Sequence, residues 1–275
     1  MPTPTLAALH VYPVKSFTGT ALDEAVVEPW GLAGDRRWMA VGREGRQLTQ
    51  RDAPGLALAT ARLRADGGVV LAAPGMPELA VDAPGPAGAV TRVRVFGSAV
   101  RARSAAPAAD VWLSRCLGEP ARLVWMGEPE RDRPVDPEFG APGDTVSFAD
   151  GYPLLLTTVA SLDALNSLIA QGDHADEGPL PMSRFRPNLV VRGTTPWAED
   201  GWKRISVGEV GFRVARPCGR CVVTTTDQRT AERGKEPLRT LARHRRFGDL
   251  LAFGQNLIPE NPGRVRSGDE LRVLG

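Results

Sequence analysis

The stretch Val90-Thr-Arg-Val-Arg-Val-Phe-Gly-Ser-Ala-Val-Arg-Ala-Arg-Ser104 decides the fold class. Val93, Val95 and Val100 alternate with Arg92, Arg94 and Arg101, the period of two that places every second side chain on one face of a strand. Phe96-Gly97-Ser98 interrupts the alternation, so the stretch reads as two half-buried strands joined by a turn. The same texture recurs outward in both directions, where 30 glycines and 24 prolines punctuate short apolar runs. Strands are expected at 6–12, 25–30, 37–41, 56–63, 69–73 and 79–82, and again at 122–126, 188–192, 204–207, 211–215, 221–227, 251–257 and 271–274. Helices are expected at 108–117, with Val111, Trp112 and Cys116 on one face, at 159–170, capped by Thr157 or Thr158, and near 236–246. The polar stretch 127–143 reads as a linker or mobile loop, and 171–182 as a surface loop. The fold class is mainly β, α+β, built as two barrel-like units sharing a face.

Composition removes several classes of function. The 275 residues hold 34 basic and 32 acidic side chains and 42% hydrophobic residues, which excludes disorder and does not point to nucleic acid. Three cysteines in so long a chain exclude a disulfide-built secreted scaffold. The first ten residues lack the pattern of a signal peptide, and no window approaches the roughly 20 apolar residues of a membrane-spanning helix. A cytoplasmic protein without membrane contact is expected. Only Lys15, Lys203 and Lys235 are lysines; every other basic residue is arginine, whose planar fork suits phosphate and carboxylate, although GC-rich codon usage accounts for the same bias.

Chemistry concentrates in Arg216-Pro-Cys218-Gly-Arg220-Cys221, followed by Val222-Val-Thr-Thr-Thr-Asp227. No glycine-rich phosphate loop is present, and His10, His174 and His244 lie in different elements without a serine nucleophile motif, which argues against a hydrolytic triad. Two thiols three apart can chelate zinc, but a closed structural site takes four ligands. A thioredoxin-like dithiol needs its first cysteine at a helix start, whereas this pair precedes a β-branched run. An inert core pair stays open, as it does for Cys116, which reads as a small buried hydrophobe. The flanking Arg216 and Arg220 make the locale electropositive, a setting for a soft sulfur ligand to a redox metal.

Five motifs in the same order carry a resemblance: Tyr12-Pro-Val-Lys15-Ser16, Gly34-Asp-Arg36-Arg-Trp38, Phe185-Arg186-Pro-Asn188, Cys218-Gly219-Arg220-Cys221 with Thr224-Thr-Thr-Asp227, and Phe253-Gly-Gln255-Asn256. The chain resembles the MOSC family, in particular the two-domain branch of the mitochondrial amidoxime-reducing component and its bacterial relatives. The resemblance implies a MOSC N-terminal β-barrel-like domain at 1–106 and a MOSC β-barrel domain with a few short helices at 107–275. It also implies a molybdenum cofactor, a molybdopterin, between them. Cys221 then matches the molybdenum ligand. Lys15, Ser16, Arg36 and Arg186 match residues that hold the pterin and its phosphate, with Asn188, Gly219 and Arg220 lining the same pocket. Gly151 and Tyr152 align with a loop near the cofactor, where only a backbone contact carries over because the side chains depart from the family's Thr-Ser pattern. Asp227, as a proton-relay or ligand-orienting group, and Gln255 match positions near the metal or pterin. A dispersed collar of Lys and Arg can grip a phosphorylated pterin without a glycine loop.

The implied activity is reduction of N-hydroxylated or N-oxygenated compounds by oxygen-atom removal. With Cys116 alone to spare, no iron–sulfur cluster is expected in the chain, so electrons come from a separate ferredoxin, flavodoxin or b-type cytochrome with its reductase. A second reading makes the protein a sulfur-transfer or cofactor carrier that uses Cys221; pyridoxal phosphate binding attaches to that reading only, through sulfurases that carry MOSC domains.

Overall fold

The computed structural model describes residues 3–127, 129 and 133–275. Among them nineteen strands form four sheets and three segments are α-helices, so the protein is mainly β, of the α+β class. Strand pairing crosses the whole chain. The largest sheet runs Leu271–Val273, Arg204–Val207, Val210–Gly219, Leu250–Pro259, Leu154–Thr158, Leu189–Arg192, Thr5–Val11, Thr20–Leu22, with Arg246–Phe247 paired to Leu250–Pro259. The chain's first strand is thus an inner strand of a sheet made mostly by its second half. A second exchange pairs Gly263–Arg266 with Glu24–Glu28. The other two sheets belong to the first half: Trp38–Val41, Arg122–Trp125, Ser98–Ser104, Val90–Val95 in one, and Thr60–Leu63, Val69–Ala72, Leu79–Val81 in the other. The largest sheet also turns back on itself: Thr5 bridges Glu270, and the Leu271 N–H donates to the Pro4 carbonyl at 2.8 Å, so its edge strand Leu271–Val273 returns to the start of Thr5–Val11.

The local reasons are readable. Val95 pairs with Ser98, so Phe96-Gly97 is a two-residue hairpin loop where the sequence pattern placed a turn. The helix Val159–Ala170 starts where Thr158 Oγ1 accepts the Ser161 N–H at 3.1 Å, and it buries Leu165 and Ile169 against Phe185, Leu241 and Phe253. That helix is the crossover between the parallel strands Leu154–Thr158 and Leu189–Arg192, which cannot be joined by a tight turn. Pro107 opens the helix Pro107–Leu117, and Gly118 at φ 71° ends it. Cys116 on that helix is half-buried against the first-half core, and burial pushes its thiol upward.

Two expectations are corrected. Residues 221–227 are not a strand: Val222–Thr225 is a 3₁₀ turn. The hydroxyls of Thr224 and Thr225 donate to the carbonyls of Cys221 and Val222, and this back-bonding outweighs the β preference of the run. Within 56–63, the first half is the 3₁₀ turn Pro54–Leu58, and only Thr60–Leu63 is strand. Of the polar stretch 127–143, residues 128 and 130–132 lie outside the described residues; most of 133–143 is exposed loop and turn, anchored by buried Val135 and by Arg133, which is 6% exposed and donates to the carbonyls of Ser147, Ala149 and Asp150.

Gly254 sits in the long strand Leu250–Pro259 at φ 79°, and a Cβ there would lie 2.5 Å from the Leu156 carbonyl oxygen of the neighbouring strand. Replacing Gly254 by Ala should lower the unfolding free energy by about 1–3 kcal/mol, seen as a lower urea midpoint. An unchanged midpoint would show that the two strands separate without cost.

Candidate functional site

A cleft of about 370 Å³ opens where turns and loops from both halves of the chain meet the end of the strand Val210–Gly219. Its wall carries Lys15, Arg36, Arg51, Arg186, Arg216 and Arg220 against a single acid, Asp150. Six cations facing one carboxylate make an anion site. The strand delivers Arg216 to Gly219 through two register shifts, between Val214 and Arg216 and between Pro217 and Gly219, and such bulges re-aim side chains. Ser16, Arg36 and Arg186 line the cleft with φ of 71°, 47° and 56°. Left-handed backbone at non-glycine residues costs free energy and persists only where the surroundings enforce it.

Protein groups hold the arginines in place. Tyr12, 3% exposed, lies between the two halves, with the guanidinium carbons of Arg36 and Arg186 at 4.1 and 4.4 Å from its ring centroid. Arg36 pairs with the buried Asp35 and donates to Asn188 Oδ1 at 3.1 Å and to the Arg186 carbonyl at 3.2 Å. It is therefore a part-buried strut and not a surface ion pair. Arg186 donates to the Phe17 carbonyl at 2.7 Å, and Arg220 to the Phe185 carbonyl at 2.7 Å. Burial pulls Arg186 down to about 10, which leaves it fully charged at neutral pH.

Around the sulfurs a second network forms. Arg51 Nη2 lies 3.2 Å from Cys221 Sγ and 3.3 Å from Asp150 Oδ2, and Asp150 also binds Lys15. Arg220 Nη1 lies 2.9 Å from Cys218 Sγ. Lys15 is 4% exposed and donates to the Phe148 carbonyl at 2.7 Å. Burial lowers its ammonium to about 8, against the pull of Asp150. For Asp150 the balance runs the other way. Its position in the concave wall would raise the carboxyl, but Lys15 and Arg51 hold it well below the ordinary range, although 61% of the side chain meets solvent.

Of the residues singled out in the sequence, Lys15, Ser16, Arg36, Gly151, Tyr152, Arg186, Asn188, Gly219, Arg220 and Cys221 meet in this cleft. Asp227 and Gln255 are not part of its wall. Asp227 accepts the backbone N–H groups of Arg229 and Thr230 and pairs with Arg184 at 3.0 Å. The Arg229 N–H, with Arg184, holds its carboxyl low. Gln255 is buried and donates to Asp200 Oδ1 at 2.9 Å. Sequence reasoning missed Arg51 and Asp150; neither stands in a motif, and they reach the sulfur and Lys15 across 170 and 135 positions of chain.

The wall suits an anion attached to a soft metal. Cys221 Sγ faces the cleft with a guanidinium as its polar neighbour, and Arg220 Nε is buried without a protein acceptor. Zinc has less support, since no group of three His, Cys, Asp or Glu is placed to hold a metal among the described residues. No helix among them is long and apolar enough to cross a membrane.

Comparison with known proteins agrees with the geometry. A family model described as the MOSC N-terminal beta barrel domain matches residues 3–120, and one described as the MOSC domain matches residues 143–272. Mitochondrial amidoxime-reducing component 1 of Homo sapiens is 33% identical, over 98% of this chain and 83% of that protein. The protein of the same name from Mus musculus is 32% identical, over 98% and 82%. Molybdenum cofactor sulfurase of Danio rerio is 32% identical over 90% of this chain, which spans only 32% of the sulfurase.

The Lys15 midpoint near 8 makes the cleft's charge pH-dependent. Sulfate, whose own charge is constant in this range, should bind the ligand-free protein on the order of tenfold more weakly as pH rises from 7 to 9, and Lys15→Met should flatten the profile. The stability sign is separate. An unfolded lysine titrates near 10.5, so between 8 and 10.5 the folded state binds fewer protons, and this group makes stability rise with pH there. Calorimetric titration at several pH values checks the first, and a flat wild-type profile would remove Lys15 from the anion site.

Proposed function

Because the chain belongs to the MOSC family, with both of its domain types matched in order along the sequence, we propose that it is a molybdenum-cofactor-dependent oxidoreductase reducing N-hydroxylated or N-oxygenated compounds. The observation that carries the proposal is one sulfur, Cys221 Sγ, facing a cleft with six cations drawn from both halves of the chain. Cys221 would ligate the metal. Lys15, Ser16, Arg36 and Arg186 would take the phosphorylated end of the pterin, whose charge answers the excess of cations on the wall. Asn188, Gly219, Arg220, Gly151 and Tyr152 would border the ring system. When bound, that group supplies two-electron oxygen-atom removal; the protein's part is to bind, orient and screen.

The chain's own groups sort accordingly. Asp150 keeps the Lys15 ammonium and the Arg51 guanidinium at the wall, and Arg51 in turn fixes the rotamer of Cys221. Asp227 and Gln255 act at one remove: Asp227 organises the turn after Cys221, and Gln255 braces the strand behind the cleft through Asp200 and Arg245. Electrons would come from a separate ferredoxin, flavodoxin or b-type cytochrome with its reductase, through a small transient interface. A second reading, sulfur transfer or cofactor carriage on Cys221, is favoured by the likeness to the sulfurase.

Protein made in a cofactor-competent host should contain near-stoichiometric molybdenum and pterin, and it should reduce N-hydroxylated compounds with a dithionite-reduced dye. Cys221→Ala should abolish the reaction while leaving the fold intact, with Cys218→Ala milder. Equal loss in both points to a paired-thiol mechanism, and a cyanide-labile sulfur without metal points to the second reading. Arg186→Ala should weaken cofactor retention by about 1.5–3 kcal/mol, the worth of a hydrogen bond to a charged group, measured by metal content after dialysis. Metal-free wild-type protein from such a host would sink the proposal.

A further inference from the structure

Phe96 occupies a position that apolar packing does not account for. It is the first residue of the two-residue loop between Val95 and Ser98, with φ 53°. Positive φ at the first central residue favours glycine, yet here the glycine is second, at Gly97. A bulky aromatic in that conformation is strained. Apolar burial offsets little of the strain, since Phe96 is 49% exposed; the contacts that hold the ring are with cations.

The ring is not itself part of the cleft wall, but it stands against two residues that are. Lys15 Nζ lies 5.5 Å and Arg51 Cζ 5.3 Å from its centroid. Both cations line the cleft, and Arg51 reaches Cys221 Sγ at 3.2 Å, so one guanidinium links the ring to the sulfur. The hairpin beneath is firmly held. Six register pairs join its strands, the Arg94 N–H donates to the Gly45 carbonyl at 2.8 Å, and the Gln47 N–H donates to the Arg94 carbonyl at 3.0 Å. A strained, exposed, rigidly mounted aromatic beside the reacting end of a cleft has the character of a recognition surface.

We propose, resting on the reductase reading above, that Phe96 is a specificity-determining residue whose ring stacks on planar, unsaturated N-hydroxylated substrates such as aromatic amidoximes. The physical basis is the ring quadrupole. Two cations near the ring draw on its negative face, which disfavours a further cation and favours a neutral flat partner in offset stacking. A small tetrahedral hydroxylamine has no flat face and gains nothing from the ring. The hairpin thus brings selectivity from the first half of the chain to a sulfur held by the second.

The test uses the molybdenum-loaded protein with a dithionite-reduced dye as donor, so that no partner protein is involved. Phe96→Gly should lower kcat/KM for benzamidoxime relative to N-methylhydroxylamine by about three- to tenfold, through KM and not kcat, and Phe96→Trp should restore the ratio. The urea midpoint of Phe96→Gly should not fall, because strain is relieved and little packing is lost. Calorimetric binding of benzamidoxime to the oxidised protein gives a readout without turnover, and Phe96→Gly should weaken it by the same factor. If wild-type protein reduces both compounds and the variant leaves the ratio and the binding unchanged, the stacking role is overturned while the reductase reading stands. If benzamidoxime binds in a Phe96-dependent way but neither compound is reduced, the reductase reading falls and the recognition surface stands. If the variant loses stability and kcat together for both compounds, Phe96 is structural and the proposal is wrong.

Discussion

Six like charges share a cleft with one carboxylate, and the rest of the site depends on how the fold keeps them there. Left to themselves they would swing into water. The structure ties them instead to backbone carbonyls and to a buried aromatic: Arg186 to Phe17, Arg220 to Phe185, and Arg36 and Arg186 to the ring of Tyr12. Asp35 and Asp150 remove part of the repulsion, Asp35 under Arg36 and Asp150 between Lys15 and Arg51. The arrangement is electrostatically unfinished, and an anion completes it.

That arrangement requires the two halves of the chain to act as one body. Thr5–Val11 lies inside the sheet of the second half, and Gly263–Arg266 closes on Glu24–Glu28. Tyr12, Lys15 and Ser16 follow directly after the inserted strand, so strand pairing places the first-half collar opposite Cys221. Loop ties reinforce the contact: Gln50 and Gln228 exchange amide hydrogen bonds, and Arg233 donates to the Gln50 and Arg51 carbonyls. The segment carrying Arg51 is thereby clamped by the loop that follows Cys221.

Much of the fold was legible because it rests on local pattern. The hairpin around Phe96-Gly97, the helix Val159–Ala170 with its Thr158 cap, and the strand Arg204–Val207 lie where alternation, helical spacing and capping chemistry put them. The run after Cys221 was misread because β-branched residues favour strands on average, whereas here two threonine hydroxyls turn back on the preceding carbonyls and Arg184 takes the carbonyl of Thr225. The return of the last strand to the first, through Thr5 and Glu270, joins the two ends of the chain, which no single stretch of sequence displays.

The amino-acid sequence on its own determined the mainly β class and the dithiol between arginines, together with the ordered motifs by which most of the cleft residues could be named. Each is written in neighbours a few positions apart, where periodicity and spacing act. Tertiary structure alone decided that Arg51 touches Cys221, that Asp150 sits between two cations, that Asp227 and Gln255 stand behind the wall, and that Phe96 stands against Lys15 and Arg51. Those relations join residues far apart in the chain, and the free energy that selects them comes from burial and pairing of groups that meet only after the sheets have formed.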